Sequence, residues 1–379
     1  MATSLVTPLP TIHRVYNPLI VTLSDSGDPA SGREGKSAVE VLLEIEDELN
    51  SNEWRLIAEY LNPYDYTTDQ ATVTLHKALQ GALGASPEPI LSSYLQEIPG
   101  IVKRYRLKVR DQVDGIPAGN FATLSPAYAW QAGNRGTLAD SYDPLNGKAY
   151  LFLSKLPSVR RVAPKEKIAF QFLSLQTVSG VDLEVTATQP DGTVAVSTYD
   201  VGNVSAYRCY SFSIPSPEGF AVLPTKIVVK LIGGFSGSQP TITYLVTQNP
   251  TPWGETIYLK NSFGGWDHIY CSGKNQKTVS LSSEIFEAQE HPLQAGQLGN
   301  SKAYNQRGNE GFVFRTGYMN ADEQKSLVDL LLRNEAWHYY NTKLWPMIIT
   351  NKSIREKADG ENLYFAEITA QYAFDHHAY

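Results

Sequence analysis

The stretch Gly311–Phe374, GFVFRTGYMNADEQKSLVDLLLRNEAWHYYNTKLWPMIITNKSIREKADGENLYFAEITAQYAF, decides the reading of the chain's last third. GFVFRTGYM alternates as a strand does. Asn320 then offers a side-chain oxygen to the free N–H groups of a helix. Glu323, three positions on, completes a capping box, and Asp322 and Glu323 suit the positive end of the helix dipole. Leu327, Leu330 and Leu331 recur at three- and four-residue spacing while Asp322, Gln324, Lys325 and Asp329 are polar, so the predicted helix lays one apolar stripe on a sheet. NEAWHYYN supplies an aromatic strand and LWPMIIT another. In NLYFAEITAQYAF, Tyr364, Ala366, Ile368, Ala370 and Tyr372 share one face. The unit reads as a small α+β module with no reactive centre.

Working outward, 379 residues suffice for two or three cores of about 100 to 200 residues each. Charged residues make up 19% of the chain, against 22 Tyr, 28 Gly and 22 Pro, which favours short strands joined by tight turns. Residues 1–36, with Pro8, Pro10, Pro18, Pro29 and the loop SDSGDPASGREGKS, predict an extended arm with an edge strand near Leu19–Leu23. Residues 37–145 predict a first β-sandwich-like domain. AVEVLLEIED sets Val39, Val41, Leu43 and Ile45 against Glu40, Leu42, Glu44 and Glu46, and Trp54–Tyr60 repeats the pattern. Asp69–Leu83 carries Leu75, Ala78, Leu79 and Leu83 at helical spacing, which predicts a short helix there, and in RYRLKVRDQ Tyr105, Leu107 and Val109 face inward. Residues 146–250 hold seven regularly spaced runs, AYLFL to TITYLVT, which predict a β-sandwich with a hairpin at Asp191-Gly192 and a looser turn at Gly233, Gly234 and Gly237. TQNPTPWGE reads as a linker, and residues 251–379 form the α+β module, opening with two strands around Gly264-Gly265. The predicted fold is thus mainly β: two β-sandwich-like domains, then a module with one short helix on a sheet.

A formal charge of −7 gives no drive toward nucleic acid or an anionic membrane. The N-terminus lacks a basic start and an unbroken apolar run, and no stretch approaches the roughly 18 apolar residues of a spanning helix, so the expectation is a soluble chain made in the cytosol without a secretion signal. Cys209 and Cys271 are too few for a disulfide framework and wrongly spaced for a structural zinc site.

The densest reactive cluster is NSFGGWDHIYC, Asn261–Cys271, with Asp267, His268 and Cys271 within five residues. On a strand, His268 and Cys271 have odd separation and project to opposite faces, so a Cys–His nucleophile needs a bulge. Turn chemistry accounts for each residue type: Gly264 and Gly265 for positive φ, Asn261 and Asp267 for backbone bonds, Trp266 as an anchor on a sheet. His376 and His377 alternate on a fraying end and read as a solvated tail, and no metal-ligand spacing, G-x-S-x-G or phosphate loop occurs. No catalytic, cofactor or metal residue is expected, and no enzyme.

Two features point to interfaces instead. Arg104, Arg106, Lys108 and Arg110 lie on one strand face at roughly 7 Å intervals. They read as a wet, edge-guarding face or as a contact with an acidic patch, such as Glu40, Glu44 and Glu46, on another copy. Trp266, Trp337, Tyr339 and Tyr340, with Trp253 and Trp345, concentrate aromatic surface in the last module. Both faces of the strand Trp337–Tyr340 are aromatic, so one should meet something other than solvent.

FVFRTGYMNADEQKSLVDLLLRNEAWHYYNTKLWPMIIT, LYFAEITAQYAFD and the upstream YLKNSFGGWDHIYCSG resemble the closing module of tail and baseplate proteins of tailed phages, over roughly the last 130 residues. The resemblance implies a virion subunit of the distal-tail or tail-tip type. Such a subunit is repeated in a ring or around the tail and contacts copies of itself and other tail proteins; no cofactor is expected. An adhesion protein that meets host-surface glycan through its aromatic residues is the alternative.

Overall fold

The computed structural model describes residues 4–6, 8–24, 36–48, 51–65, 67–83, 89, 94–113, 115–133, 145–248, 253–287, 301–317, 319–332, 335–341, 343–354, 365–374 and 376–377. Among these the chain is mainly β, with two α-helices. The first unit contains β1 (Ser4–Leu5), β2 (Ile12–Arg14), β3 (Ile20–Ser24), β4 (Lys36–Glu46), β5 (Trp54–Pro63), β6 (Gln70–Thr74), α1 (His76–Leu83), β7 (Gln96–Glu97), β8 (Val102–Val113), β9 (Ile116–Thr123) and β10 (Ala127–Trp130). One sheet runs β1-β3-β6; the other runs β2-β10-β8-β4-β5, with β9 beside β8. Alternation drives the packing: Val39, Val41, Leu43 and Ile45 are fully buried against Tyr105, Leu107 and Val109, and Leu23 and Val73 close the core from the opposite sheet.

One expectation for this region is corrected, and the short helix expected within Asp69–Leu83 is found as α1. The extended arm expected at residues 1–36 is, over its described residues, built into the first unit: the strand expected near Leu19–Leu23 is β3, but it lies between β1 and β6 and is no edge, and β2 pairs in parallel with β10. The partners of β2 and β3 stand far along the chain, and Pro8, Pro10 and Pro18 merely flank the strands. Residues 25–35 lie outside the described residues. The segment Asp69–Leu83 is a strand followed by a helix, because Ala71 and Val73 alternate into the core before Leu75, Leu79 and Leu83 take up the helical stripe.

The second unit contains β11 (Tyr150–Phe152), β12 (Val159–Val162), β13 (Ile168–Ser174), β14 (Val178–Thr188), β15 (Val194–Val204), β16 (Cys209–Ile214), β17 (Lys226–Ile232) and β18 (Thr241–Val246). The sheets β11-β13-β16-β7 and β12-β18-β17-β14-β15 enclose an aromatic and β-branched core that includes Tyr150, Phe170, Phe172, Phe212, Val185 and Val229. The hairpin turn at Gly192 has φ +85°. β7, from the stretch before β8, joins this unit's sheet, so the two units share chain across their boundary.

The third unit contains β19 (Glu255–Lys260), β20 (Trp266–Cys271), β21 (Gln276–Glu287), β22 (Ser301–Arg315), α2 (Ala321–Leu332), β23 (Glu335–Tyr340), β24 (Lys343–Ile354), β25 (Ala366–Tyr372) and β26 (His376–His377). The antiparallel order is β20-β19-β23-β24-β25-β22-β21, with β26 beside β22. The capping box is formed: Glu323 N–H donates to Asn320 Oδ1 at 2.8 Å, and Asn320 N–H to Glu323 Oε2 at 2.9 Å. Leu327, Leu330 and Leu331 bury against Ile257, Leu259 and Ile368. The linker residues 249–252, Tyr364 and the side chains of His376 and His377 lie outside the described residues.

A fourth apolar cluster joins all three units: Ile101 and Trp130 from the first, Leu151, Leu153 and Leu173 from the second, Phe263 from the third.

Candidate functional site

The turn between β19 and β20 is the junction of the three units. Asn261 organises it: its Oδ1 accepts N–H bonds from Phe263 (2.9 Å) and Gly265 (3.1 Å), while Nδ2 donates to Leu153 O (2.7 Å) and Asp267 Oδ2 (2.9 Å). The Trp130 indole donates to Phe263 O at 3.0 Å, and Gly133 N–H to Ser262 O at 2.8 Å. Gly264 has φ +81°, and a Cβ there would lie 2.5 Å from Gln131 O; a Cβ on Gly265 would strike Leu153 O. Both glycines therefore serve close backbone approach between units as well as the turn.

Beyond the turn lies a buried polar cluster. Asp267 accepts from Ser154 Oγ, from Lys155 N–H at 2.8 Å and from Arg160 Nη1 at 3.3 Å. A carboxylate so fully occupied is a structural anchor. His268 stands between the rings of Tyr244 and Tyr258, at 6.2 and 6.0 Å, with Nε2 3.7 Å from Glu166 Oε1. Burial raises the Glu166 carboxyl to about 7, while burial, with Arg160 nearby, lowers His268 to about 3. Among the described residues, Glu166 Oε1, His268 Nε2, Arg160 Nε and the Tyr258 hydroxyl have no hydrogen-bond partner. A cavity of about 150 Å³ reaches Arg160 and His268 between the second and third units, passing Thr247, Tyr270 and Glu323. Arg160 and Glu166 carry no motif; only the folded β12 and its following loop bring them to β20.

The cluster does not include Cys271. That thiol packs with Leu259 and Leu327 in the third core, where burial holds it protonated. Among the described residues no three His, Cys, Asp or Glu side chains converge on a metal position.

The basic row has its acidic partners within the same chain. Arg110 bonds Glu40, Lys108 and Arg106 share Glu44, and Arg104 reaches Glu46, all across the β8–β4 ladder. Arg106 also covers Trp54, 4.2 Å from the ring centre. The contact with Glu40, Glu44 and Glu46 of another copy is thereby corrected, because those carboxylates are occupied at home.

The aromatic candidates divide by face. Trp266 is buried at the junction. Paired registers place Tyr258, Trp337 and Pro346 on one face, with Tyr339 and Leu344 beside them and Ile348 beyond. Near β20 this face is covered by the second unit. Trp337, Tyr339, Leu344 and Pro346 are only half-buried, and Ile348 is 44% exposed. On the opposite face His338 is buried and bonded to the Tyr372 hydroxyl at 3.1 Å, and Tyr340, 48% exposed, stacks at its edge.

No family model matches the chain, and no curated protein does. Among solved structures, a marsupial T cell receptor is 9% identical over 59% of this chain and 87% of its own, with a TM-score of 0.18. The full extracellular region of plexin A4 is 11% identical over 98% of this chain and 39% of its own, also at 0.18. Likenesses at that score carry no inference about function.

Proposed function

We propose that this chain is a structural subunit of a phage tail, of the distal-tail, baseplate or tail-tip type, and acts through its interfaces with copies of itself and with other tail proteins. The observation that carries this reading is the apolar row Trp337, Tyr339, Leu344, Pro346 and Ile348. It continues a sheet face that at Tyr258 and His268 is buried beside Tyr244 of the second unit and is only half-covered at the other end. In a ring, that surface meets a different surface of the next copy. The net charge of −7 favours protein partners over nucleic acid, and the virion is the proposed location.

A second reading, glycan contact at a host surface, draws on Tyr340 and on Trp253, which is 51% exposed; both offer ring faces with a polar handle. Light scattering and electron microscopy of the purified chain test the first. A defined ring that is lost on joint Trp337→Ser and Tyr339→Ser replacement supports it. A monomer at every concentration, with glycan-array binding that Tyr340→Ala removes, replaces it with the second.

A further inference from the structure

We propose that two copies of this chain join edge to edge through β15, antiparallel and centred on Val196. The proposal rests on the second unit alone and does not depend on the Trp337 surface.

Among the described residues β15 is the outermost strand of its sheet and pairs with β14 only. Exposed edges are normally guarded by charge, proline or irregularity. The other long edges follow that rule: β5 carries Arg55 and Glu59 and ends in Pro63, β9 carries Pro117 and Gly119, and β21 carries Lys277. From Val194 to Tyr199, VAVSTY, β15 has no charge, proline or glycine, and Val194 and Val196 are 55% and 61% exposed.

The hairpin fixes which main-chain groups face outward. Gln189 N–H donates to Thr193 O at 2.8 Å, so that pair is hydrogen-bonded, and the register continues without a shift through Ala187↔Ala195 and Val185↔Ser197. In an antiparallel ladder the bonded pairs alternate, so Val194, Val196 and Thr198 turn their N–H and C=O away from β14. The outward donors thus lie on the residues with the exposed valines.

A two-fold axis perpendicular to the sheet at Val196 keeps like faces together. It sets Val196 against the partner's Val196, Val194 against the partner's Thr198 and Ala195 against the partner's Ser197. Asp200, the single acid of the strand, then falls opposite the hairpin turn at Gly192, so no two acids stand directly opposite. This self-complementarity is why a second copy is the occupant. A short edge buries less than the roughly 1,200 Å² of a stable interface, so the pairing is expected to be weak and concentration-dependent.

Sedimentation velocity of the full chain over a dilution series tests this. The dimer fraction should rise with concentration and be abolished by Val196→Lys, which opposes two ammonium groups at the axis, and by Val196→Pro, which removes the central donor. Val196 is exposed and its N–H points outward, so both variants should keep the wild-type melting temperature. Joint Trp337→Ser and Tyr339→Ser replacement should leave the pairing intact. A wild type that stays monomeric throughout, or a dimer that survives both Val196 substitutions, overturns the proposal.

Discussion

Arg110 holds Glu40 with two parallel hydrogen bonds, Nε to Oε2 at 2.7 Å and Nη2 to Oε1 at 2.9 Å, and Gln112 adds a third at 3.1 Å. Bidentate geometry makes this the best-defined member of the β8–β4 charge ladder. Because the ladder is internal, removing a member should weaken the monomer without altering assembly. Glu40→Gln and Glu44→Gln are each expected to cost about 1–2 kcal/mol, read by urea unfolding, with the particle mass unchanged. A change in mass with stability untouched would return the row to the list of interfaces.

The same ladder sets an acid limit. The Arg110 hydrogen bond holds the Glu40 carboxyl below its ordinary 4.5. Burial pushes Glu44 up, but Lys108 and Arg106 outweigh it and the net direction is down. Carboxylates lowered in the fold stabilise it fully above their unfolded value and lose that contribution as pH falls through the folded one. Below about pH 4.5, wild type should therefore lose stability more steeply than Glu44→Gln. Parallel melting curves across that range would contradict the assignment.

What was legible in the sequence follows from range. Alternation in β4 and β8, the seven runs of the second unit and the Asn320–Glu323 box are local patterns, and each appears in the fold. The charge ladder was half legible: the Arg and Glu rows were visible, but the pairs stand 58 to 70 residues apart, and only register shows that they meet in one chain. The strand near Leu19–Leu23 was readable as β3, but its place between β1 and β6 was not, and β2 was obscured for the same reason, since its partner is β10. The turn chemistry of Asn261 and Gly264 was readable. That the turn is wedged against Gln131 and Leu153 was not, because close approach leaves no mark beyond the glycine itself.

That wedge can be separated from the turn. Gly264 and Gly192 have nearly the same φ, +81° and +85°, but a Cβ at Gly192 meets nothing within 4 Å while one at Gly264 meets Gln131 O. Gly192→Ala should cost about 1 kcal/mol, the penalty of the left-handed conformation alone. Gly264→Ala should cost about 2–4 kcal/mol and expose the junction to limited proteolysis, because a backbone oxygen cannot yield. Equal costs would mean that the units are not packed through this turn.

The buried Glu166–His268 pair makes opposite demands on pH. Glu166 is raised from 4.5 to about 7, so its contribution is fully present below pH 4.5 and is lost as pH rises through 7. His268 is lowered from 6.5 to about 3, so its contribution is full above pH 6.5 and is lost as pH falls toward 3. Between 4.5 and 6.5 the two slopes oppose each other; from 6.5 to 7 only Glu166 still titrates. Glu166→Gln removes the alkaline loss and keeps an oxygen for the Ala163 N–H, which Glu166 Oε2 now accepts at 3.0 Å. The stability of the variant relative to wild type should therefore climb by up to about 3 kcal/mol as pH rises from about 4.5 to about 8. Urea unfolding of both proteins at matched pH reads the difference directly. A flat difference would mean that Glu166 titrates at its ordinary value, which requires water to reach it through the cavity beside Arg160 and His268.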